Sequence, residues 1–194
     1  MWPWEHLAVG YVVVSLWWWA RGRRVDEWVV VAVLLGSQFP DLVDKPLAWT
    51  FAVLPSGTTL AHSVFVAAPL SALAVLLAGR RGHGAAGVAF ALAYLLHLPG
   101  DVLYGTVTVG SPPSVGAVLW PLVPKPPGSD PAGLFGETLY YIGKYRTFLA
   151  RPDAVRYLAF EAGLLLTALV LWVRDGRPGT GLLGRGARWL RSRH

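Results

Sequence analysis

Three histidines and two aspartates in this chain share both a chemistry and a position. His6 opens the first apolar segment, Asp41 closes the second, His62 opens the third, and His97 and Asp101 close the fourth. If successive segments run antiparallel, all five side chains meet at one end of a bundle. Imidazole nitrogen with carboxylate oxygen is a transition-metal donor set; Zn²⁺ suits it best, and Mn²⁺ or Fe²⁺ is also compatible. An all-oxygen Ca²⁺ or Mg²⁺ cage has no use for three imidazoles. Five such donors can hold one ion with a position left open, or two ions that share Asp101. Either arrangement makes hydroxide available near neutral pH and polarises the oxygen under attack, which is the chemistry of hydrolysis. His97 and Asp101, four residues apart and so on one helical face, are the expected catalytic pair.

Taken singly, each residue has a plainer role. A histidine at a helix end is more often a hydrogen-bonded interfacial residue than a ligand, and an aspartate there can simply end a helix in water. The coincidence of five is what points to a site, because ionisable groups near membrane depth are costly and tend to be functional. The other two histidines, His83 and His194, fall in a loop and at the last position. The chain has no cysteine, which excludes thiolate ligands, disulfides and cysteine nucleophiles. Ser63 has no evident partner beyond His62, so no Ser-His-Asp triad is expected.

The elements that must position these groups are apolar runs at about 6–20, 27–40, 60–78, 84–104 and 156–173. The chain is 54% hydrophobic and only 14% charged, against roughly 25% charged for soluble domains. The run from 64 to 78 lacks the polar face that a soluble amphipathic helix needs. These features predict an all-α, multi-pass integral membrane bundle of about five transmembrane helices, although each run is short against the ~20 residues that usually span a bilayer. Residues 1–173 read as a single membrane-embedded domain, and 174–194 as a basic Gly/Arg-rich cytoplasmic tail.

Charge sorts by loop. Arg21, Arg23 and Arg24, then Arg80 and Arg81, then Arg174, Arg177, Arg185, Arg188, Arg191 and Arg193 fall on one side, opposed only by Asp26, Glu27 and Asp175. The positive-inside rule makes that side cytoplasmic, with the N-terminus out and the C-terminus in. No basic residue precedes the first apolar run, so it reads as a retained helix rather than a cleavable signal. Trp17, Trp18, Trp19, Trp28 and Trp172 mark the inner boundary, and Trp2, Trp4, Trp49 and Trp120 the outer one. The five candidate ligands then open on the outer face. The net charge of +6 is mostly an inner-surface property, directed at anionic lipid headgroups rather than nucleic acid. Leu182, Leu183, Trp189 and Leu190 could line one face of a short interfacial helix in the tail.

In order and spacing, Trp4-Glu5-His6, Phe39-Pro40-Asp41, Ala61-His62-Ser63, His97-Leu98-Pro99-Gly100-Asp101 and Leu119-Trp120-Pro121-Leu122 resemble the YdjM-like membrane-bound metal-dependent hydrolases over about residues 1–123. That family is similar in turn to the zinc-dependent phospholipase C and single-strand nuclease superfamily. The resemblance implies a metal-dependent hydrolase, with phosphoesters as the substrate class and His6, Asp41, His62, His97 and Asp101 as ligands. Two departures stand out. The family commonly reads Pro-Asp-x-Asp-His, whereas here Asp44 is shifted by one place and Lys45 takes the histidine position; Asp44 is therefore expected to support a ligand rather than bind metal. The family's His-Arg-Gly before Thr-His-Ser is replaced by residues 55–61.

The outer loop, 105–155, carries seven prolines between Pro112 and Pro131, which argue against regular structure there. Residues 137–149 are expected to lie on the outer interface, where Lys144, Arg146 and Arg151 could attract an anionic headgroup. The partners expected are membrane lipids and a small-molecule or lipid ester. Two alternatives come from other classes. One is a non-catalytic membrane protein whose metal or polar cluster locks helix ends together. The other is a metal-free phosphatidic acid phosphatase-like enzyme, suggested by Pro55-Ser56-Gly57 and by Lys144 to Pro152, but with those pieces in the wrong order.

Overall fold

Local sequence sets the helix starts in a computed structural model that describes residues 1–126, 133–152 and 154–181. All regular elements among these are helical. Helix α1 (Pro3–Ala20) begins with proline, whose missing N–H costs nothing there. The Glu5 carboxylate accepts from the Trp2 N–H at 2.5 Å and satisfies a donor at that end. Helix α2 (Glu27–Trp49) is capped by Asp26, which accepts from the Val29 N–H at 2.8 Å. Ser63 does the same for α3 (Val64–Arg80), accepting from Phe65. Helix α4 (Gly84–Val109) stops on Gly110, which turns left-handed at φ 70°. Helices α5 (Gly133–Leu149) and α6 (Ala154–Arg174) follow.

Helix α4 is the centre of the bundle, packed mainly against α2, α3 and α1. Small residues make this possible, as close helix approach requires. A Cβ on Gly36 of α2 would collide with the Phe90 backbone carbonyl of α4, and one on Gly87 of α4 would lie 2.9 Å from the Ala74 carbonyl of α3. Around these contacts Tyr11, Val14, Val29, Val33, Ala89 and Ala93 form the main core. The outward faces are apolar as well. Helix α3 buries only Ala67 and Ser71, and α6 exposes Leu166, Leu169, Val170 and Val173. Helices α4 and α6 are long and apolar enough to cross a membrane; α3 is apolar but has 17 residues.

The two ends of the bundle differ in chemistry. At one end Arg21 stacks on Trp17 and Arg174 on Trp19, and Trp28 meets His83. There Asp175, just past α6, accepts from Tyr11 and Ser15 of α1. The loops rich in arginine and tryptophan thus come together, as their sequence suggests. The candidate ligands gather at the opposite end.

Several boundaries differ from those expected. Helix α2 does not end near Pro40; it continues through Pro40 and Pro46 to Trp49, so Asp41 sits within the helix. Helix α4 runs through Pro99 to Val109. Helix α3 begins at Val64, so His62 lies in the preceding loop rather than opening the helix itself. A sixth helix, α5, occupies much of what reads as outer loop, whereas the proline-rich 110–126 stretch has only turns. The expected tail helix with Leu182, Leu183, Trp189 and Leu190, and the basic residues Arg185, Arg188, Arg191 and Arg193, lie outside the described residues, as does His194.

Candidate metal centre

Asp44 organises the loop that carries His62. This carboxylate is buried on α2 and accepts from the backbone N–H groups of Thr59 (2.7 Å), Ala61 (2.8 Å) and His62 (3.3 Å). It also accepts from His62 Nδ1 at 2.8 Å. A buried carboxylate requires such partners, and here they wrap the α2–α3 loop around it. From the other side the Tyr94 hydroxyl donates to the Ala61 carbonyl at 2.7 Å. Ser63 Oγ donates to the Trp120 carbonyl, so it is engaged as a structural donor and not as a nucleophile.

His97 is fixed by the same logic. Its Nδ1 lies 2.7 Å from the Ser37 carbonyl, which can only accept, so the proton sits on Nδ1. Both imidazoles therefore spend Nδ1 on a supporting acceptor and turn Nε2 inward. This is the pattern by which histidine ligands are oriented toward a metal.

The inward atoms converge. His62 Nε2 lies 3.2 Å from His97 Nε2, 3.5 Å from Asp41 Oδ1 and 3.3 Å from Asp101 Oδ2. His97 Nε2 lies 3.4 Å from Asp101 Oδ2 and 3.9 Å from Asp41 Oδ1. All four donor atoms fall within 4.8 Å of one another. Donors placed ~2.0–2.1 Å from a tetrahedral zinc are about 3.3 Å apart, so this spacing fits one ion. Two nitrogen lone pairs and two carboxylates facing one another repel unless a proton or a cation lies between them. The demand for positive charge shows at His62. Burial disfavours its imidazolium, yet the hydrogen bonds it donates to Asp101, Asp41 and Asp44 prevail and push its pKa up to about 10.

His6 stands beside this group rather than in it. Its ring stacks on His97, with centroids 3.6 Å apart and planes 8° from parallel. Its Nε2 lies 3.0 Å from Asp101 Oδ1, the oxygen turned away from the other ligands. The α-amino group of Met1 also donates to that oxygen. Gly100 leaves room for this arrangement, since a Cβ there would lie 3.3 Å from the His6 ring. The five residues singled out in the sequence are thus all brought together, four around a common point and His6 in the outer layer.

The sequence gives less warning of what supports α1. Glu5, fully buried, accepts from the Tyr157 hydroxyl of α6 at 2.6 Å. Glu161 of α6 accepts from Trp4 Nε1 at 2.6 Å and from the Tyr145 hydroxyl of α5 at 3.0 Å. These bonds tie α6 and α5 to the turn that holds His6. The available signal is Glu161 inside an apolar segment and Glu5 at the edge of another.

Over Asp41, His62 and Asp101 opens a chamber of about 1420 Å³. Helix α5 roofs it, held by a Trp49–Tyr141 stack at 5.6 Å and a Trp2–Tyr145 edge contact at 4.7 Å. Lys45, 2.5 Å from Asp41 Oδ2, and Lys125, which donates to Thr58 Oγ1, line it near the ligands. Burial lowers the Lys125 pKa, against the pull of Asp101 and Asp44. Lys125 was missed in the sequence because a single lysine among prolines has no periodic signal. Of the basic residues expected near the site, Lys144 lines both the chamber and a small hollow on α5, and Arg151 lines that hollow.

Neither a curated protein nor a solved structure matches the chain. A family model does: residues 1–175 match that of the YdjM inner membrane protein. That span takes in α1 to α6 and every member of the cluster, and the chain belongs to the YdjM inner membrane protein family.

Proposed function

We propose that the chain is a multi-pass, membrane-embedded metal-dependent hydrolase that cleaves a phosphoester at the outer face of the membrane. The observation that carries this reading is the inward convergence of His62 Nε2, His97 Nε2, Asp41 Oδ1 and Asp101 Oδ2 to within 4.8 Å of one another, with both imidazole Nδ1 atoms already committed elsewhere. Imidazole and carboxylate together favour zinc, with manganese or iron as the next fits. A divalent ion held there supplies Lewis acidity and a water of lowered pKa. Asp41, His62 and Asp101 face the chamber, so substrate approaches from their side, while His97 closes the back. His6 holds Asp101 through Oδ1 and keeps Oδ2 aimed inward.

A second reading rests on the donor count. Four protein ligands are the complement of a closed structural site, in which the ion only locks the helix ends together. The chamber against three of the ligands favours catalysis. Elemental analysis of detergent-purified wild type and His97→Ala, both prepared without added metal, separates the cases. One or two equivalents in wild type, lost in a variant that stays helical and monodisperse, supports the site; chelator-sensitive hydrolysis of bis(p-nitrophenyl) phosphate then supports catalysis. Metal without hydrolysis favours the structural reading. No metal in folded wild type, even after reloading, overturns both.

A further inference from the structure

The chamber is lined by two chemistries. Near the cluster it is cationic and hydroxylic. Lys45 and Lys125 line it there, with Ser56 Oγ and Thr58 Oγ1 3.2 Å apart on the α2–α3 loop. Gly57 lets this loop lie flat on Trp49, since a Cβ would meet the indole at 2.9 Å. Lys125 makes no ion pair among the described residues, and Lys45 has only Asp41, a candidate ligand. A divalent ion balancing Asp41 and Asp101 leaves these two lysines outnumbering the one remaining nearby carboxylate, Asp44. Its other walls, toward the end of α4 and on α5, carry apolar side chains at Val109, Leu134 and Phe148. Glu137 and Lys144 of α5 offset one another in charge there.

The volume, about 1420 Å³, exceeds the ~300–1,000 Å³ of ordinary small-molecule pockets. The roof also faces lipid on its other side, where Phe135, Leu139 and Ile142 of α5 are exposed. An amphipathic helix of this kind lies in the interface plane. A polar phosphate compound would leave the apolar walls dry and unfilled, and a neutral lipid would leave two half-buried ammonium groups without an anion.

Resting on the hydrolase reading for its chemistry but not for its test, we infer that the chamber takes an acyl-chain-bearing phosphate ester. Its phosphate is bound by Lys45, Lys125 and the Ser56–Thr58 hydroxyls beside the metal, and its chains lie under α5. Lys45 and Lys125 are specificity-determining residues for that phosphate. The ligand is a membrane lipid and not a water-soluble phosphomonoester.

The test is equilibrium binding of radiolabelled dihexanoyl phosphatidic acid, below its micellar concentration, to the full chain in detergent. It is done with chelator and with zinc, and hydrolysis is followed separately. Binding about tenfold or more tighter than glycerol 3-phosphate or dihexanoylglycerol is expected, since either loss removes more than a kilocalorie of contact. Lys45→Met with Lys125→Met should lose about tenfold in affinity with zinc content unchanged, and Lys125→Arg alone should retain binding. Equal affinity for glycerol 3-phosphate overturns the acyl-chain assignment, and unchanged binding in the double variant overturns the phosphate subsite. Lipid binding without turnover leaves this inference standing and removes the hydrolase reading. Turnover of bis(p-nitrophenyl) phosphate with no preference for the lipid and no effect of the lysines does the reverse.

Discussion

Asp44 shows how much a single side chain can decide. It touches no inward donor atom, yet its two oxygens accept four hydrogen bonds from the loop that carries His62. Asp44→Asn keeps the volume but replaces one acceptor oxygen with a donor, so at least one buried N–H loses its partner. Each such loss costs about 1–3 kcal/mol. The His62 ring also loses the carboxylate that fixes its tautomer, a change that typically lowers metal affinity about 10–100-fold. The expected outcome is a folded protein with a lower thermal midpoint and a zinc dissociation constant raised by that factor, measured by competition with a fluorescent chelator. Unchanged zinc affinity would show that the loop holds His62 without Asp44. Much of this was legible in the sequence. His62 and Asp44 stood out by type, and the displaced Asp44 was read as a support because it missed the family's spacing. Two details were not legible. The wrapping of residues 59–62 around Asp44 depends on backbone N–H directions, and the outer-layer place of His6 depends on its stacking against His97.

Helices deliver these residues only because their backbones come close. Asp41 rides on α2 and His97 and Asp101 on α4, so the site's dimensions are set by the separation of those two helices. Gly36 governs it, since any side chain there meets the Phe90 carbonyl. Gly36→Ala adds one methyl group yet must push backbone away, and overpacking of this kind costs about 1–3 kcal/mol. Gly79→Ala is the control, because a Cβ there meets nothing within 4 Å. Gly36→Ala should lower thermal stability and reduce bound zinc, with Gly79→Ala close to wild type in both; equal behaviour of the pair would separate α2–α4 spacing from metal binding. Helix limits were read less well than helix identity. The run that ends at Pro40 suggests a boundary there, but α2 continues through it, as α4 does through Pro99, because packing against neighbours compensates for one lost backbone hydrogen bond. The cluster depends on that continuity, since His97 and Asp101 share a face only if the helix persists through Pro99.

At the scale of the whole molecule the question is how the bundle sits in its membrane. Helices of 18, 23, 17, 26 and 21 residues are about 26–39 Å long at 1.5 Å per residue. The hydrocarbon core is ~30 Å thick, so α1 and α3 are short and would need local thinning or flanking aromatics. The arginine-rich loops gather at the end opposite the cluster, and from the positive-inside rule we propose that the cluster lies outside. We propose five crossings by α1, α2, α3, α4 and α6, with α5 lying across the outer end. The absence of cysteine makes this directly testable, because an introduced thiol is the only one in the chain. Val115→Cys, exposed in the 110–126 stretch, should react with a membrane-impermeant maleimide in intact spheroplasts. His83→Cys, exposed between α3 and α4, should react only after permeabilisation. The opposite pattern would put the cluster in the cytoplasm and with it any substrate. Labelling of both positions in intact spheroplasts would mean that α3 and α4 do not both cross. The end of the bundle that carries the chamber and the α3–α4 loop would then share one side of the membrane, and the charge-based placement of the cluster would lose its support.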